Sequence, residues 1–450
     1  MDILLDPVLR GPLLMCAVLG GLSAAIGALV VFRQQSLMTE VLSHACYPGM
    51  IIGAIVAEFL FAATETEKTL LLVISGAITT SILAVYGVSW LQKKGRVTSD
   101  SALSCVLSGS FSIGLLCISM SQSVFPDLWR RLQTLLVGQA ATMSNRYIMT
   151  ACALFFVVTC CIMVFRRSLL TGLFDPDFGR LHALVRSSIE TIFSLLLVLT
   201  VTFGMRTLGV LLMTAIFIFP AISARMITSS FDRLLTTAAI LGSLCGVVGL
   251  IISHTFALSF QESVGKPLFL PTGPSIVLVH IVVFSAIALF SPDYGLCVRL
   301  WRRWHFLERC HRENIMKALW KECAKENSSR VTMKKLFELI PMPRSEMNRR
   351  LRRLQKSRYL SLLDGYIEVL PSGMLLGRTL VRLHRLWELY LVRFCGMPKD
   401  RVHPSAEEME HILTPEVEKE LTLLLQNPAM DPHERPIPSS EQTLALGGPL

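Results

Sequence analysis

The sequence has few charges and lacks several familiar catalytic signatures. Only 17% of its 450 residues are Asp, Glu, Lys or Arg, and GxxxxGK[ST], CxxC and HExxH are all absent. Each absence removes a class of function. Without a phosphate-cradling glycine loop the chain cannot hydrolyse ATP by itself. Without a CxxC pair, the 12 cysteines, most of them inside apolar blocks, fit reduced or lipid-buried thiols and not a zinc ribbon or disulfide framework. Without HExxH, an intramembrane metalloprotease is disfavoured. No basic segment followed by a cleavable small-residue site precedes the first apolar block, so residues 12–32 read as a retained span.

What is abundant is apolar surface: 52% of residues are hydrophobic, outside the range of soluble domains. The average hides a division, because 11–292 is a series of apolar blocks and 299–450 is polar and charged. Crossing a bilayer takes about 20 apolar residues. The matching segments are 12–32, 46–63, 69–91, 102–120, 146–165, 187–204, 207–227, 234–258 and 274–291, nine in number. Basic residues cluster at Arg33, at Lys93, Lys94 and Arg96, at Arg166 and Arg167, at Arg225 and Arg233, and at Arg299, Arg302 and Arg303. Alternating spans put these clusters on one side and Glu58, Glu65 and Glu67 on the other, so the N-terminus is expected outside and the C-terminus in the cytoplasm. Arg130 and Arg131 break the pattern and suggest a re-entrant or interfacial piece over 129–141. Small residues recur within the spans, as in GGLSAAIGALV (20–30), which lets helices pack closely. A bundle of this kind usually transports.

Between the first two expected spans, Glu40 and His44 lie one helical turn apart and face the same way. Such a pair can share a divalent cation, and a simple His–Glu hydrogen bond would satisfy both groups equally well. The surrounding LSHACYPG resembles the SHAxLPG signature of the ABC-transporter permeases that import manganese, zinc and iron. SDSALSCVLSGSFSIGLLCIS (99–119), LLVGQAATMS (135–144), LFDPDFGRLHAL (173–184) and GVLLMTAIFIFPAISARMI (209–227) are similar to further elements of that family, in order over residues 1–292. The resemblance implies metal at Glu40 and His44, although the family usually has Asp at the first position. It implies contact with a separate ABC ATPase subunit through Phe174, Asp175, Pro176, Asp177 and Arg180. It also implies an extracytoplasmic metal-binding protein and a second permease subunit, in a homo- or heterodimer. The segment 259–273 is longer than the family's external turn and receives no function.

The polar part begins with helical patterns at 313–325 and 331–340, then a basic segment, 341–360, with seven Arg or Lys against the single acid Glu346. The runs YLSLL and YIEVL follow, joined through Asp364-Gly365, a strong hairpin signal. Helices plus hairpin describe a winged helix-turn-helix whose third helix suits the major groove. Arg344, Ser345, Asn348 and Arg349 are placed to meet base edges, and Arg352 and Arg353 to meet phosphates of operator DNA. A basic helix lying on anionic lipid is the competing reading. Beyond it, His384 and Glu388 form one i,i+4 pair and Glu407, Glu410 and His411 a second group. The stretch 403–411 contains no Lys or Arg to neutralise it, which favours metal.

Residues 383–421 resemble the diphtheria-toxin-repressor family of metal-dependent regulators. By that resemblance His384, Glu388, His403, Glu407, Glu410 and His411 fall on ligand positions, and Glu313 on a first-helix ligand position. A set of carboxylates and imidazoles favours Mn²⁺ or Fe²⁺ over Zn²⁺. DPHERPIP (431–438) resembles the end of the family's dimerisation domain, so this region is expected to dimerise.

The expected architecture is an all-α polytopic membrane domain of about nine transmembrane helices, then a cytoplasmic winged helix-turn-helix and a helical metal-binding and dimerisation domain. Its expected segments are the permease at 1–292, a juxtamembrane linker at 293–312, the DNA-binding domain at 313–372, the metal-binding and dimerisation domain at 373–438 and a disordered tail at 439–450. The combination resembles the chlamydial fusion of a metal permease with its own regulator. It is expected in the bacterial inner membrane, with the tail released by cleavage in or near 293–312. The alternatives are a membrane sensor that moves no metal, and a transporter whose tail gates transport without touching DNA.

Overall fold

The structure, a computed structural model, describes residues 7–33, 36–61, 66–95, 97–124, 145–167, 183–264 and 270–439. The expected re-entrant piece over 129–141 lies outside them. The chain divides into two compact units, Met1–Arg299 and Leu300–Leu450.

The first unit is helical throughout its described residues: α1 (Pro7–Phe32), α2 (Ser36–Phe61), α3 (Thr66–Lys94), α4 (Ser99–Val124), α5 (Asn145–Val164), α6 (Ala183–Leu208), α7 (Val210–Ile227), α8 (Phe231–Val264) and α9 (Thr272–Phe290). Helix is what lipid permits, because no water is present to satisfy an open backbone. The same environment tolerates Pro12, Pro48 and Pro220 inside α1, α2 and α7. Each of the expected spans overlaps one of these helices. By length and composition, however, six can cross a bilayer, namely α1 to α4, α8 and α9. The apolar stretches of α5 to α7 are shorter: Ile148–Val164, Thr191–Met205 and Met213–Ile227. Length and composition thus do not reach the expected count of nine.

Packing in this unit depends on close backbone approach. A Cβ on Gly49 would strike the carbonyl oxygen of Gly76, and one on Gly76 that of Gly49, so α2 and α3 meet without side chains between them. Across the same seam Cys46 Sγ lies 2.8 Å from Ser81 Oγ. Met15, Leu19, Leu22, Tyr47, Leu197, Met213 and Phe217, from α1, α2, α6 and α7, are fully buried at the centre. Helix α2 also revises the sequence reading. It starts at Ser36, ten residues before the expected span, so Glu40 and His44 lie inside a helix and not between two. The apolar window closed at Thr39, Glu40, Ser43 and His44, whereas the helix absorbs them by bonding hydroxyls back to its own carbonyls, as Ser43 Oγ does to Thr39 O at 2.8 Å.

The second unit begins within α10 (Leu296–Glu326). It continues through β1 (Arg330–Thr332), α11 (Met333–Leu339), α12 (Arg344–Lys356), β2 (Leu360–Leu363) and β3 (Tyr366–Val369). The strands form an antiparallel sheet in the order β1-β3-β2, with Leu363 opposite Tyr366 across the turn. Gly365 takes φ 81° there, which glycine adopts without strain. Ile315, Met316, Leu319, Leu336, Met347, Leu351, Leu354 and Ile367 fill one core beneath this sheet. The arrangement is a winged helix-turn-helix. The linker expected over 293–312 is helical from Leu296 onwards.

A second bundle follows: α13 (Pro371–Cys395), a single 3₁₀ turn (Lys399–Arg401), α14 (Val402–Met409) and α15 (Pro415–Leu424). Arg382, buried on α13, binds Glu418 of α15 at 2.8 Å and the carbonyl of Pro438 at 2.6 Å. Asp431 accepts from the backbone N–H groups of His433 and Arg435, each at 2.8 Å. The DPHERPIP segment is therefore a built turn held against α13.

Candidate metal centre

Helix α13 places His384 and Glu388 one turn apart on its buried side, 4% and 3% exposed. Helix α14 brings His403 to them. His384 Nε2 lies 2.9 Å from His403 Nδ1 and 3.2 Å from Glu388 Oε1, and His403 Nδ1 lies 3.0 Å from the same carboxylate oxygen. One donor atom from each residue lies within 4.8 Å of the others, the single such group among the described residues. Two imidazoles and a carboxylate suit a divalent transition ion, and no thiol is within the group. The residues present therefore fit a bound metal.

The electrostatics of the group follow from mixing burial with pairing. Burial pushes the Glu388 carboxyl up, but hydrogen bonds from His384 and His403 outweigh it and hold the group at about 2. Burial pulls His384 down, and the carboxylates of Glu388 and Glu410 together raise it above its ordinary value. The centre is thus an ionised carboxylate beside an imidazole whose proton affinity its carboxylate partners raise, and a bound cation would compete with that proton.

The remaining four expected ligands are arranged differently. Glu410, which caps the end of α14, is fully buried and accepts from His384 Nδ1 at 2.6 Å. His411 Nδ1 lies 2.6 Å from Glu313 Oε2 on α10, and its Nε2 lies 3.7 Å from Glu410 Oε1. Glu407 is exposed, 3.6 Å from His403 Nε2. Between these carboxylates sits a residue the sequence reading did not single out. Lys317 Nζ lies 2.6 and 2.9 Å from the two oxygens of Glu410 and 3.9 Å from Glu407. Its position one turn after Glu313 was the available signal.

On α12, Met347, Arg350, Leu351 and Leu354 point inward, and Ser345, Asn348, Arg349, Arg352, Arg353 and Lys356 line an open groove outward. Arg344 departs from this set, stacking over the Phe337 ring at 5.7 Å. Arg350 is buried, with Glu346 Oε1 at 2.7 Å and Glu308 Oε2 at 3.4 Å, while Arg353 reaches Glu308 Oε1 at 3.2 Å. One acid on α10 therefore orients two arginines of α12.

In the first unit Glu40 and His44 share a face of α2, both partly buried, and His44 meets Phe111 edge-on at 4.9 Å. His44 Nδ1 is buried without a hydrogen-bond partner. The expected coupling residues Phe174, Asp175, Pro176, Asp177 and Arg180 lie outside the described residues.

Comparison with known proteins decides the first unit. A family model described as the ABC 3 transport family matches residues 6–291. The chain belongs to the ABC 3 transport family. A second model, described as the iron dependent repressor, metal binding and dimerisation domain, matches residues 370–439, so this ABC 3 chain also carries a repressor-type domain. A probable metal transport system membrane protein of Chlamydia trachomatis serovar D is 32% identical over 427 residues, covering 92% of this chain and 93% of the relative. The zinc transport system membrane protein TroC of Treponema pallidum is 29% identical over 298 residues, covering 66% and 94%. Among solved structures, PsaBC from Streptococcus pneumoniae in complex with Fab shares the fold, with a TM-score of 0.54, 22% identity and coverage of 65% of this chain and 95% of that one. The ABC 3 chain is a multi-pass membrane protein with a helical regulatory part bearing a small sheet.

Proposed function

We propose that the chain is the permease subunit of an ATP-driven importer of Mn²⁺, Fe²⁺ or Zn²⁺ whose C-terminal unit is a metal-dependent repressor. The observation that carries the regulatory half is the gathering of His384, Glu388 and His403 on the same polypeptide as the outward groove of α12. That oxygen- and nitrogen-only set disfavours thiolate-seeking ions and accommodates Mn²⁺, Fe²⁺ or Zn²⁺, of which we take Mn²⁺ or Fe²⁺ as the regulatory ion. Bound there, a divalent ion would tie α13 to α14, and dimerisation of this region would set the spacing of two α12 helices on an operator. Arg352 and Arg353 would meet phosphates, and Arg344, Ser345, Asn348 and Arg349 base edges.

In the membrane unit the metal is cargo. Glu40 and His44 offer it an oxygen and a nitrogen on one helix face, and the partnerless Nδ1 of His44 is what a cation pathway supplies and a purely structural bundle avoids. ATP hydrolysis falls to a separate ATPase at residues 174–180, and metal delivery to an extracytoplasmic binding protein, with a second permease subunit completing the pore. We place the permease at 1–292, a junction at 293–312, the DNA-binding domain at 313–372 and the metal-binding and dimerisation domain at 373–438, with the C-terminal unit in the cytoplasm. Exposed Trp301 and Trp304 among Arg299, Arg302 and Arg303 suit the inner membrane interface. Proteolytic release of the tail at 296–312 requires unwinding α10, whereas residues 293–295 precede the helix.

Uptake of radioactive Mn²⁺ by cells expressing the chain with its ATPase tests the transport half. Glu40→Ala with His44→Ala should abolish uptake at unchanged membrane abundance. Uptake at the wild-type rate would favour a sensor that moves no metal. An antibody to the tail should detect a fragment in the native host, and full-length protein alone would exclude release.

A further inference from the structure

The Lys317 side chain is 8% exposed and the Glu410 side chain fully buried. A buried ammonium is retained only where carboxylates compensate it, and a buried carboxylate only where a cation does. Here each supplies the other. Nζ binds both oxygens of Glu410, at 2.6 and 2.9 Å, and lies 3.9 Å from Glu407. The remaining members are also engaged, His384 with Glu410 and His411 with Glu313, each at 2.6 Å. No three of Glu313, Glu407, Glu410 and His411 offer converging donor atoms of the kind found at His384, Glu388 and His403.

Resting on the reading of His384, Glu388 and His403 as the metal centre, we infer that Lys317 is a built-in cation that fills the second ligand cluster, so that the C-terminal unit binds one divalent ion and not two. An ion between Glu407 and Glu410 would have to displace an ammonium already in contact with both. A lysine differs from a dissociable ion in one functional respect, since it cannot leave when metal is scarce. The tie between α10 and the end of α14 is therefore permanent, and metal dependence passes through the α13–α14 contact alone.

The test counts metal on the full chain in detergent after equilibrium dialysis against Mn²⁺, by elemental analysis. Lys317→Met should bind one Mn²⁺ per chain more than wild type, because Glu313, Glu407, Glu410 and His411 are then left to take an ion. Lys317→Arg, which keeps the charge, should match wild type. His384→Ala should bind one fewer. If His384→Ala changes nothing, the metal-centre reading fails and this inference with it. If His384→Ala lowers the count but Lys317→Met leaves it at the wild-type value, the Lys317 assignment alone is overturned. Electron paramagnetic resonance of Mn²⁺-saturated wild type needs no variant. Spectra of isolated ions are expected, and an exchange-coupled pair would overturn the inference.

Discussion

Replacing Glu388 with Gln isolates what its charge does, because the amide has the shape and neutrality of a protonated carboxyl. A carboxyl held at about 2 instead of its ordinary 4.5 is stabilised in its ionised form by about 3 kcal/mol, at roughly 1.4 kcal/mol per tenfold change in proton affinity. Glu388 is 3% exposed, so water screens little of this. The sign follows from the depressed value: the contribution is complete above about pH 4.5 and is lost as pH falls through about 2. Without metal, Glu388→Gln should destabilise the C-terminal unit by about 3 kcal/mol at pH 7 and by clearly less at pH 3. Urea unfolding of the detergent-solubilised chain in EDTA, followed by tryptophan fluorescence, measures both, with Trp387 beside the substituted residue. A loss under about 1 kcal/mol at pH 7, or an equal loss at pH 3, would refute the view that His384 and His403 hold this carboxylate ionised.

His384 is raised, so its pairing stabilises the metal-free unit below about pH 6.5 and this contribution fades as pH rises through its folded value. Mn²⁺ competes with that proton, so calorimetry in buffers of different ionisation enthalpy should show binding that weakens, and proton release that grows, as pH falls. On DNA, Arg352→Ala should weaken binding to all sequences alike and lower the slope of affinity against salt by about one. Asn348→Ala should instead alter preference among operator variants by about 1–3 kcal/mol, read by competition binding. In the membrane unit, Gly76→Leu should drive α2 from α3 and remove the monodisperse peak in size-exclusion chromatography.

Much of this was legible because side-chain chemistry repeats with helical period. The inward face of α12, Met347, Arg350, Leu351 and Leu354, follows from spacing alone, and its outward residues line the groove. Arg344 lies over the Phe337 ring, a tertiary contact with no local signature in the sequence. The hairpin followed from Asp364-Gly365, whereas β1 is three residues long and gains its identity only by pairing Val331 with Ile367. Lys317 escaped notice because a lysine after a glutamate on a helix ordinarily reads as a solvated pair, and only the fold brings Glu410 to it. The start of α2 was misplaced because hydropathy marks what lipid favours, not where a helix begins.

We propose that one chain joins a metal permease to a metal-dependent DNA reader. Gel retardation of the full detergent-solubilised chain on DNA from upstream of its own operon tests it most directly. Mn²⁺ should retard the DNA, EDTA should release it, and His384→Ala should abolish the metal dependence while the chain still folds. Equal retardation in Mn²⁺ and EDTA, or none in either while Mn²⁺ binds the chain, would contradict the account and leave a tail that senses metal without reading DNA.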